Sequence, residues 1–196
     1  MLIQIILGST RPGRNGEAIA RWVYEIAQKR DDIQFELVDV ADYDLPLLDE
    51  PMPALVTGLS GTDYAKAHTK KWSEKIAQGD GYLFVTAEYN RSIPGAFKNA
   101  IDFLYKEWGD KAVGFVSYGS AGGSRAIAHL RDVAGEVRLA DVREELLFFF
   151  DHDFEQYVFK PKQHHEEQLH RVIDQVAQWS TALKPLRQTT EKKEAA

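Results

Sequence analysis

Short apolar runs rich in β-branched residues alternate along the chain with segments in which apolar residues recur every three to four positions. The runs have the length of buried strands, and they lie at 2–7, 33–40, 81–86, 111–119 and, more weakly, 137–142. The segments between them have a helical period, and a further helix is predicted over 163–184. This alternation is typical of a parallel sheet that is covered by helices on both faces.

Five predicted strands and five predicted helices fit an α/β doubly wound sheet, and we expect a flavodoxin-like three-layer sandwich with strand order 2-1-3-4-5. A chain of 196 residues with 44% apolar content is long enough for one sizeable core and short for two. We therefore predict a single domain over 1–187. Residues 188–196 have no apolar period and are predicted to form a mobile tail.

Charge and composition exclude several classes of function. The net charge is −6, and Lys and Arg do not cluster outside the mixed tail, so neither a nucleic-acid partner nor an anionic membrane partner is expected. The chain has no cysteine, which excludes disulfides, thiolate metal sites and a cysteine nucleophile. The first apolar run is too short for a membrane span or a signal sequence, so we expect a cytoplasmic protein with a small soluble ligand.

The first strand-to-helix loop, GSTRPGRNG, is rich in glycine, hydroxyl and guanidinium groups. It lies at the carboxyl end of the predicted sheet, where the N-terminus of the next helix favours an anion. The loop lacks the lysine of a Walker motif and the spacing of a dinucleotide fingerprint. It therefore predicts either a site for a terminal monophosphate or a solvated turn.

The loops after the third and fourth strands are also unusual. EYNRS (88–92) places a polar cluster before the helix that opens with Pro94, and SYGSAGGSRA follows the fourth strand. Each loop alone has an ordinary alternative, a helix cap with a surface tyrosine or a glycine turn. Together with the first loop they predict one cleft for a ligand that has a phosphate at one end and a planar ring at the other.

Three other segments have weaker signals. The stretch 42–61 contains three prolines and predicts a long surface loop that forms a wall or lid over a site. The segment HHEEQLH (164–170) is not a zinc helix, because His165 and His170 are five positions apart rather than four, and no metal site is expected. Trp108 follows the third predicted helix directly.

The segments GSTRPGRNGEAIA, AEYNRSIPGAFKNAIDFL and SYGSAGGSRA together resemble the NADPH-dependent FMN reductase family, flavodoxin-like enzymes that include quinone, azo-dye and chromate reductases. The resemblance runs from residue 2 to about residue 135, and the middle segment is its most specific part. The chain departs from the family at Ala87, where a proline is usual, and at Arg14 or Gly16, where a serine is common.

The resemblance assigns cofactor roles to residues of all three loops. It implies that the FMN phosphate is bound by Ser9, Arg11, Asn15 and Gly16, assisted by Arg14. It implies that the ribityl chain and the isoalloxazine are bordered by Glu88, Tyr89, Asn90, Ser92 and Ile93. The other edge of the ring would be completed by Ser117, Gly119, Gly122 and Gly123. No side chain is implied as a nucleophile.

The activity that the resemblance implies is an FMN-dependent NAD(P)H oxidoreductase. It would pass two electrons from NADPH or NADH through FMN to a small acceptor, such as a quinone, a flavin or an azo compound, by a ping-pong mechanism. The alternative is a flavodoxin-like electron carrier that serves protein partners. Family members are typically homodimers or homotetramers with flavin sites near the interface, so Trp108 is a candidate interface residue.

Overall fold

Five parallel strands form the central sheet of the protein, in a computed structural model that describes residues 1–194 and the side chains up to residue 187. The strands are β1 (Leu2–Leu7), β2 (Gln34–Asp39), β3 (Gly81–Ala87), β4 (Lys111–Gly119) and β5 (Leu139–Phe149). Their order in the sheet is β2-β1-β3-β4-β5, and every neighbouring pair is parallel. The predicted fold class and strand order are confirmed.

Helices cover both faces of this sheet. They are α1 (Gly16–Ala27), α2 (Ala54–Ser60), α3 (Ala67–Ala77), α4 (Gly95–Asp102), α5 (Ser124–Glu136), α6 (Phe150–Asp153) and α7 (Gln163–Glu194). A 3-10 helix spans Val40–Tyr43, and a small hairpin of β6 (Phe154–Glu155) and β7 (Val158–Phe159) precedes α7. Apolar residues of α1 and α7 form one core with the sheet, and those of α3, α4 and α5 form the other.

The alternation of side chains along each strand divides the core between the two faces. Ile3, Ile5 and Leu7 of β1 belong to the core with α1 and α7, whereas Ile6 belongs to the opposite core. Strands β3 and β4 are buried along their whole length, as expected for central strands of a parallel sheet.

Strand β5 is much longer than its predicted range of 137–142, because it continues to Phe149. It is the edge strand, with β4 as its only neighbour in the described sheet, and its centre carries the charged residues Arg143 and Glu144. The pairing with β4 shifts by two residues at this point, from Val113 opposite Asp141 to Phe115 opposite Glu145. Residues 146–149 are therefore the end of this strand, and Phe150 begins α6.

The segment 42–61 is not the continuous loop that its prolines predicted. Pro53 precedes α2 and Gly61 follows it with a φ of 68°, which are favourable residues for the start and the end of a helix. Before α2, the side-chain amide of Asn99 on α4 donates to the Pro46 carbonyl, and its oxygen accepts from the Leu48 N–H. The segment is thus held along α4.

Trp108 is not a surface residue, so its prediction as an interface anchor was wrong. Its side chain is fully buried among Trp72, Tyr82 and Phe84. Its indole N–H donates to the Ile101 carbonyl at 3.1 Å. Trp108 is therefore part of the core on the α3–α4 face of the sheet.

The C-terminal helix α7 extends beyond its predicted end at residue 184 and includes Pro185. The prediction of a mobile tail over 188–196 stays a prediction, and its last two residues lie outside the described part of the chain. None of the helices among the described residues combines the length and the apolar content that a membrane span requires.

Candidate functional site

Three loops meet at the carboxyl edge of the sheet, where β1, β3 and β4 end side by side. The N–H of Gly8 donates to the Val85 carbonyl at 3.0 Å, and the N–H of Glu88 donates to the Tyr118 carbonyl at 3.3 Å. The loops after these strands (residues 8–15, 88–94 and 120–123) therefore begin as direct neighbours. The predicted convergence of the three loops is present in the structure.

Hydroxyl groups connect the three loops at their base. The Ser9 hydroxyl lies 2.7 Å from the Tyr89 hydroxyl, which joins the first loop to the second. The Tyr118 hydroxyl, at the end of β4, lies against the start of α1, where Ser9 and the N–H of Gly16 both act to lower its pKa. Burial raises the pKa of Tyr118 to about 12, so this hydroxyl keeps its proton at neutral pH. Sequence analysis missed Tyr118 because it selected the neighbouring Ser117.

The close approach of β4 to the start of α1 explains why residue 16 is a glycine. A Cβ atom at Gly16 would lie 2.8 Å from the Tyr118 hydroxyl and 2.9 Å from the Leu7 side chain. Helix α1 therefore begins directly against Tyr118. The residue before it, Asn15, makes no side-chain cap, so it does not satisfy the free N–H groups of the first turn.

Arg14 of the first loop contacts β2. Its Nη2 forms an ion pair with Asp39, while its buried Nε has no hydrogen-bond partner. The Arg14 side chain is only 12% exposed. A buried guanidinium N–H without an acceptor is costly, and an anion beside the loop would satisfy it. Arg11, in contrast, is exposed.

The second loop is a tight turn with two consecutive left-handed residues. Tyr89 and Ser92 exchange backbone hydrogen bonds of 3.0 Å, and between them Asn90 and Arg91 have φ values of 50° and 70°. This is the backbone pattern of a type I′ turn, which asparagine tolerates better than arginine does. The Ser92 hydroxyl lies 2.8 Å from Nδ1 of His129 on α5, a contact that the sequence did not reveal.

The third loop turns sharply on its glycines. Gly122 and Gly123 have φ values of 66° and 79°, and a Cβ atom at Gly123 would lie 2.6 Å from the Cβ of Ser117. The Ser117 hydroxyl donates to the Gly122 carbonyl at 2.6 Å, so it holds the loop against the strand. The N–H of Gly122 donates to the Gly119 carbonyl at 3.1 Å, which closes the turn from within.

Glu88 connects the second loop to the helix that follows the third. Its carboxylate accepts from the backbone N–H of Arg125 at 3.2 Å and pairs with the Arg125 guanidinium. Burial alone would raise the pKa of Glu88, but the hydrogen bond and the charge of Arg125 outweigh burial and lower it. The charged carboxylate thus stabilises the N-terminus of α5.

The family model described as NADPH-dependent FMN reductase matches residues 1–179 of the chain. The protein belongs to this family. It is 46% identical over 133 residues to the NAD(P)H-dependent FMN reductase ntnL of a Nectria species, a match that covers 66% of this chain and 65% of that protein. It is 41% identical over 139 residues to an NAD(P)H-dependent FMN reductase of Schizosaccharomyces pombe, with 70% and 67% covered. The chain thus spans about two thirds of the length of these relatives.

Solved structures support the same fold at low identity. The flavoenzyme NAD(P)H:(acceptor) oxidoreductase FerB of Paracoccus denitrificans superposes with a TM-score of 0.69 at 20% identity, over 92% of this chain and 97% of that one. Flavodoxin 1 of Bacillus cereus superposes with a TM-score of 0.53 at 16% identity, over 90% and 97%. The chain therefore shares its flavodoxin-like fold with both proteins.

The cofactor residues that the family resemblance implied lie on these three loops and at the strand and helix ends beside them. Ser9, Tyr89 and Gly16 meet at the Tyr118 hydroxyl, whereas Arg14 and Glu88 already have protein partners. Asn90 is exposed, and Ile93 is half-buried beside the α3–α4 core. The direct contacts of these residues with a cofactor stay predictions.

Proposed function

We propose that the protein is an FMN-dependent NAD(P)H oxidoreductase. It passes two electrons from NADPH or NADH to a small acceptor by a ping-pong mechanism. The observation that carries this proposal is the contact between the first and second loops through the hydroxyls of Ser9 and Tyr89. In the first loop, Nε of Arg14 has no hydrogen-bond partner and could donate to an anion. Similarity to proteins named NAD(P)H-dependent FMN reductase supports the donor and the cofactor.

The residues of the first loop fit the phosphate of FMN. The unpartnered Nε of Arg14 and the uncapped start of α1 supply donors that a phosphate would satisfy. Ser9, Arg11, Asn15 and Gly16 complete the proposed phosphate site. When bound, FMN accepts a hydride from reduced nicotinamide and delivers two electrons to the acceptor.

In this proposal, the second and third loops orient the flavin and stabilise negative charge on its ring. The turn from Tyr89 to Ser92, with Glu88 and Ile93 beside it, borders the ribityl chain and one side of the ring. The third loop, with Gly119, Gly122 and Gly123, would border the pyrimidine edge, and a backbone N–H group of this loop would stabilise negative charge there. One cleft then serves the donor and the acceptor in turn, which gives ping-pong kinetics.

The acceptor that we propose is a small molecule such as a quinone. Quinone reductase of Escherichia coli is 34% identical over 140 residues, and 2-hydroxy-1,4-benzoquinone reductase of a Burkholderia species is 31% identical over 138 residues. A flavin or an azo compound is also chemically suitable, since reduced FMN reacts with each of them. The shape of the cleft decides among these acceptors.

The deciding experiment is an anaerobic absorption titration of the purified protein with FMN, followed by NADPH. We expect flavin bands on the protein and their full loss after NADPH, and parallel double-reciprocal plots when a quinone is then varied. Bound FMN that stays oxidised with both NADPH and NADH would favour the electron-carrier function. Intersecting plots would contradict only the ping-pong order, and absence of flavin binding would refute the cofactor site.

We also propose that the protein is a homodimer or homotetramer in the cytoplasm, a compartment with which the absence of cysteine is compatible. One segment exposes several large apolar side chains: Leu47, Leu48, Met52, Leu55, Val56 and Leu59. Clustered apolar residues on a surface are typical of protein interfaces. We expect light scattering to give two or four times the monomer mass, and Leu59→Lys to lower it. A monomeric wild type would refute this proposal.

A further inference from the structure

The guanidinium of Arg14 is shared between the first loop and an acidic residue that the sequence analysis did not select. Asp39 is the last residue of β2, and its carboxylate pairs with Nη2 of Arg14. The other carboxylate oxygen accepts from the N–H of Ala41 at 2.9 Å and so caps the 3-10 helix. Both side chains are largely buried, with 12% of Arg14 and 20% of Asp39 exposed.

The carboxylate of Asp39 is not fully compensated by these partners. Burial raises its pKa, and the N–H of Ala41 and the charge of Arg14 oppose this rise without cancelling it. Two further carboxylates, Asp42 and Glu17, lie close enough to raise the pKa of Asp39 as well. The region around Arg14 therefore carries more negative charge than a site that only binds an anion would.

This acidity bears directly on a phosphate in the first loop. A phosphate on Arg14 would be a second anion on the same guanidinium, and like charges near each other in a partly buried site repel strongly. Nε of Arg14 is buried and has no hydrogen-bond partner, so a phosphate that reached it would share the guanidinium with Asp39. The repulsion then acts on the phosphate and not on the ring.

We propose that Asp39 is a specificity-determining residue. Its carboxylate, paired with Arg14, places a negative charge beside the site of the FMN phosphate and so weakens FMN binding. The inference rests on the proposed function, since it takes FMN as the ligand. The last residue of β2 would then determine how readily FMN dissociates from the protein. Riboflavin, which has no phosphate, would not be affected.

The test compares dissociation constants for FMN and riboflavin, measured by quenching of flavin fluorescence, in wild type and Asp39→Asn. The amide removes the charge and keeps one oxygen, which can still accept from the N–H of Ala41 and cap the 3-10 helix. We expect FMN to bind roughly tenfold more tightly to the variant, and riboflavin to bind as it does to wild type. The matched control is Asp44→Asn, which removes an exposed charge five positions away and should change FMN affinity less than twofold.

Each outcome separates this inference from the proposed function. If wild type binds neither flavin, the proposed function fails. If wild type binds FMN but Asp39→Asn binds it equally or more weakly, the proposed function stands and the inference is overturned. Equal gains for FMN and riboflavin would also overturn it. If the asparagine variant does not fold, Asp39→Ser, which keeps a capping oxygen, replaces it.

Discussion

Replacement of Trp108 by alanine is expected to lower the free energy of unfolding by about 3 to 5 kcal/mol, the cost of a large cavity in a packed core. The indole is fully buried and meets the rings of Trp72, Tyr82 and Phe84 at centroid distances of 6.3, 5.1 and 5.8 Å. Its loss would also leave the Ile101 carbonyl without its indole donor. Urea denaturation followed by circular dichroism measures the change.

Trp179 provides the matched control, because it lies on α7 with 49% of its surface exposed. Trp179→Ala is expected to change the free energy of unfolding by less than about 0.5 kcal/mol. Equal effects of the two substitutions would contradict the placement of Trp108 in the core. A Trp108→Ala variant that kept the stability of the wild type would contradict it as well.

The sequence predicted the sheet well because the central strands of a parallel sheet are apolar along their whole length. β3 and β4 are buried at every position, so their patterns differ clearly from those of amphipathic helices. The edge strand β5 has one open side, and its charged centre interrupts the apolar run that prediction relies on. Its second half, up to Phe149, therefore lay outside the predicted strand range of 137–142.

Trp108 was misinterpreted for a different reason, which is the polarity of its neighbours. Glu107 beside it is only 5% exposed, since its carboxylate accepts from the Tyr64 hydroxyl at 2.9 Å and from the Ser73 hydroxyl at 2.6 Å. Buried polar residues of this kind depend on partners distant in the chain. A local pattern cannot reveal them, so the segment resembled a surface loop.

The candidate site shows the same limit. The three loops were predicted because glycine, proline and polar residues follow apolar strands at one edge of the sheet. The partners that fix them were not: Tyr118 lies beneath Ser9, Asp39 holds Arg14, and His129 contacts Ser92. Each of these contacts joins residues on different elements, so only the folded arrangement identifies them.

Gly8→Ala is expected to have the largest effect on the site. A Cβ atom at Gly8 would lie 2.8 Å from Cε1 of Phe97 and closer still to Cγ and Cδ1 of the same ring. Phe97 is fully buried between Phe84 and its own helix, so its ring has little room to move away. The start of the first loop must shift instead, together with Ser9.

We expect this substitution to lower the free energy of unfolding by about 1 to 3 kcal/mol, as overpacking of a core does. FMN affinity should fall by more than about tenfold, because displacement of the loop misaligns several hydrogen-bond donors at once. Thermal unfolding and fluorescence titration with FMN measure the two effects.

Gly135→Ala is the control, since a Cβ atom at this position of α5 would meet no heavy atom within 4 Å. In a helix the same change should stabilise the protein by about 0.5 to 1 kcal/mol and leave FMN affinity unchanged. If Gly8→Ala lowers the free energy of unfolding and Gly135→Ala raises it, the loss at Gly8 comes from the contact with Phe97 and not from the added methyl group itself. If Gly8→Ala retained both stability and FMN affinity, the first loop would be adaptable, and its close approach to α4 would not be required for binding.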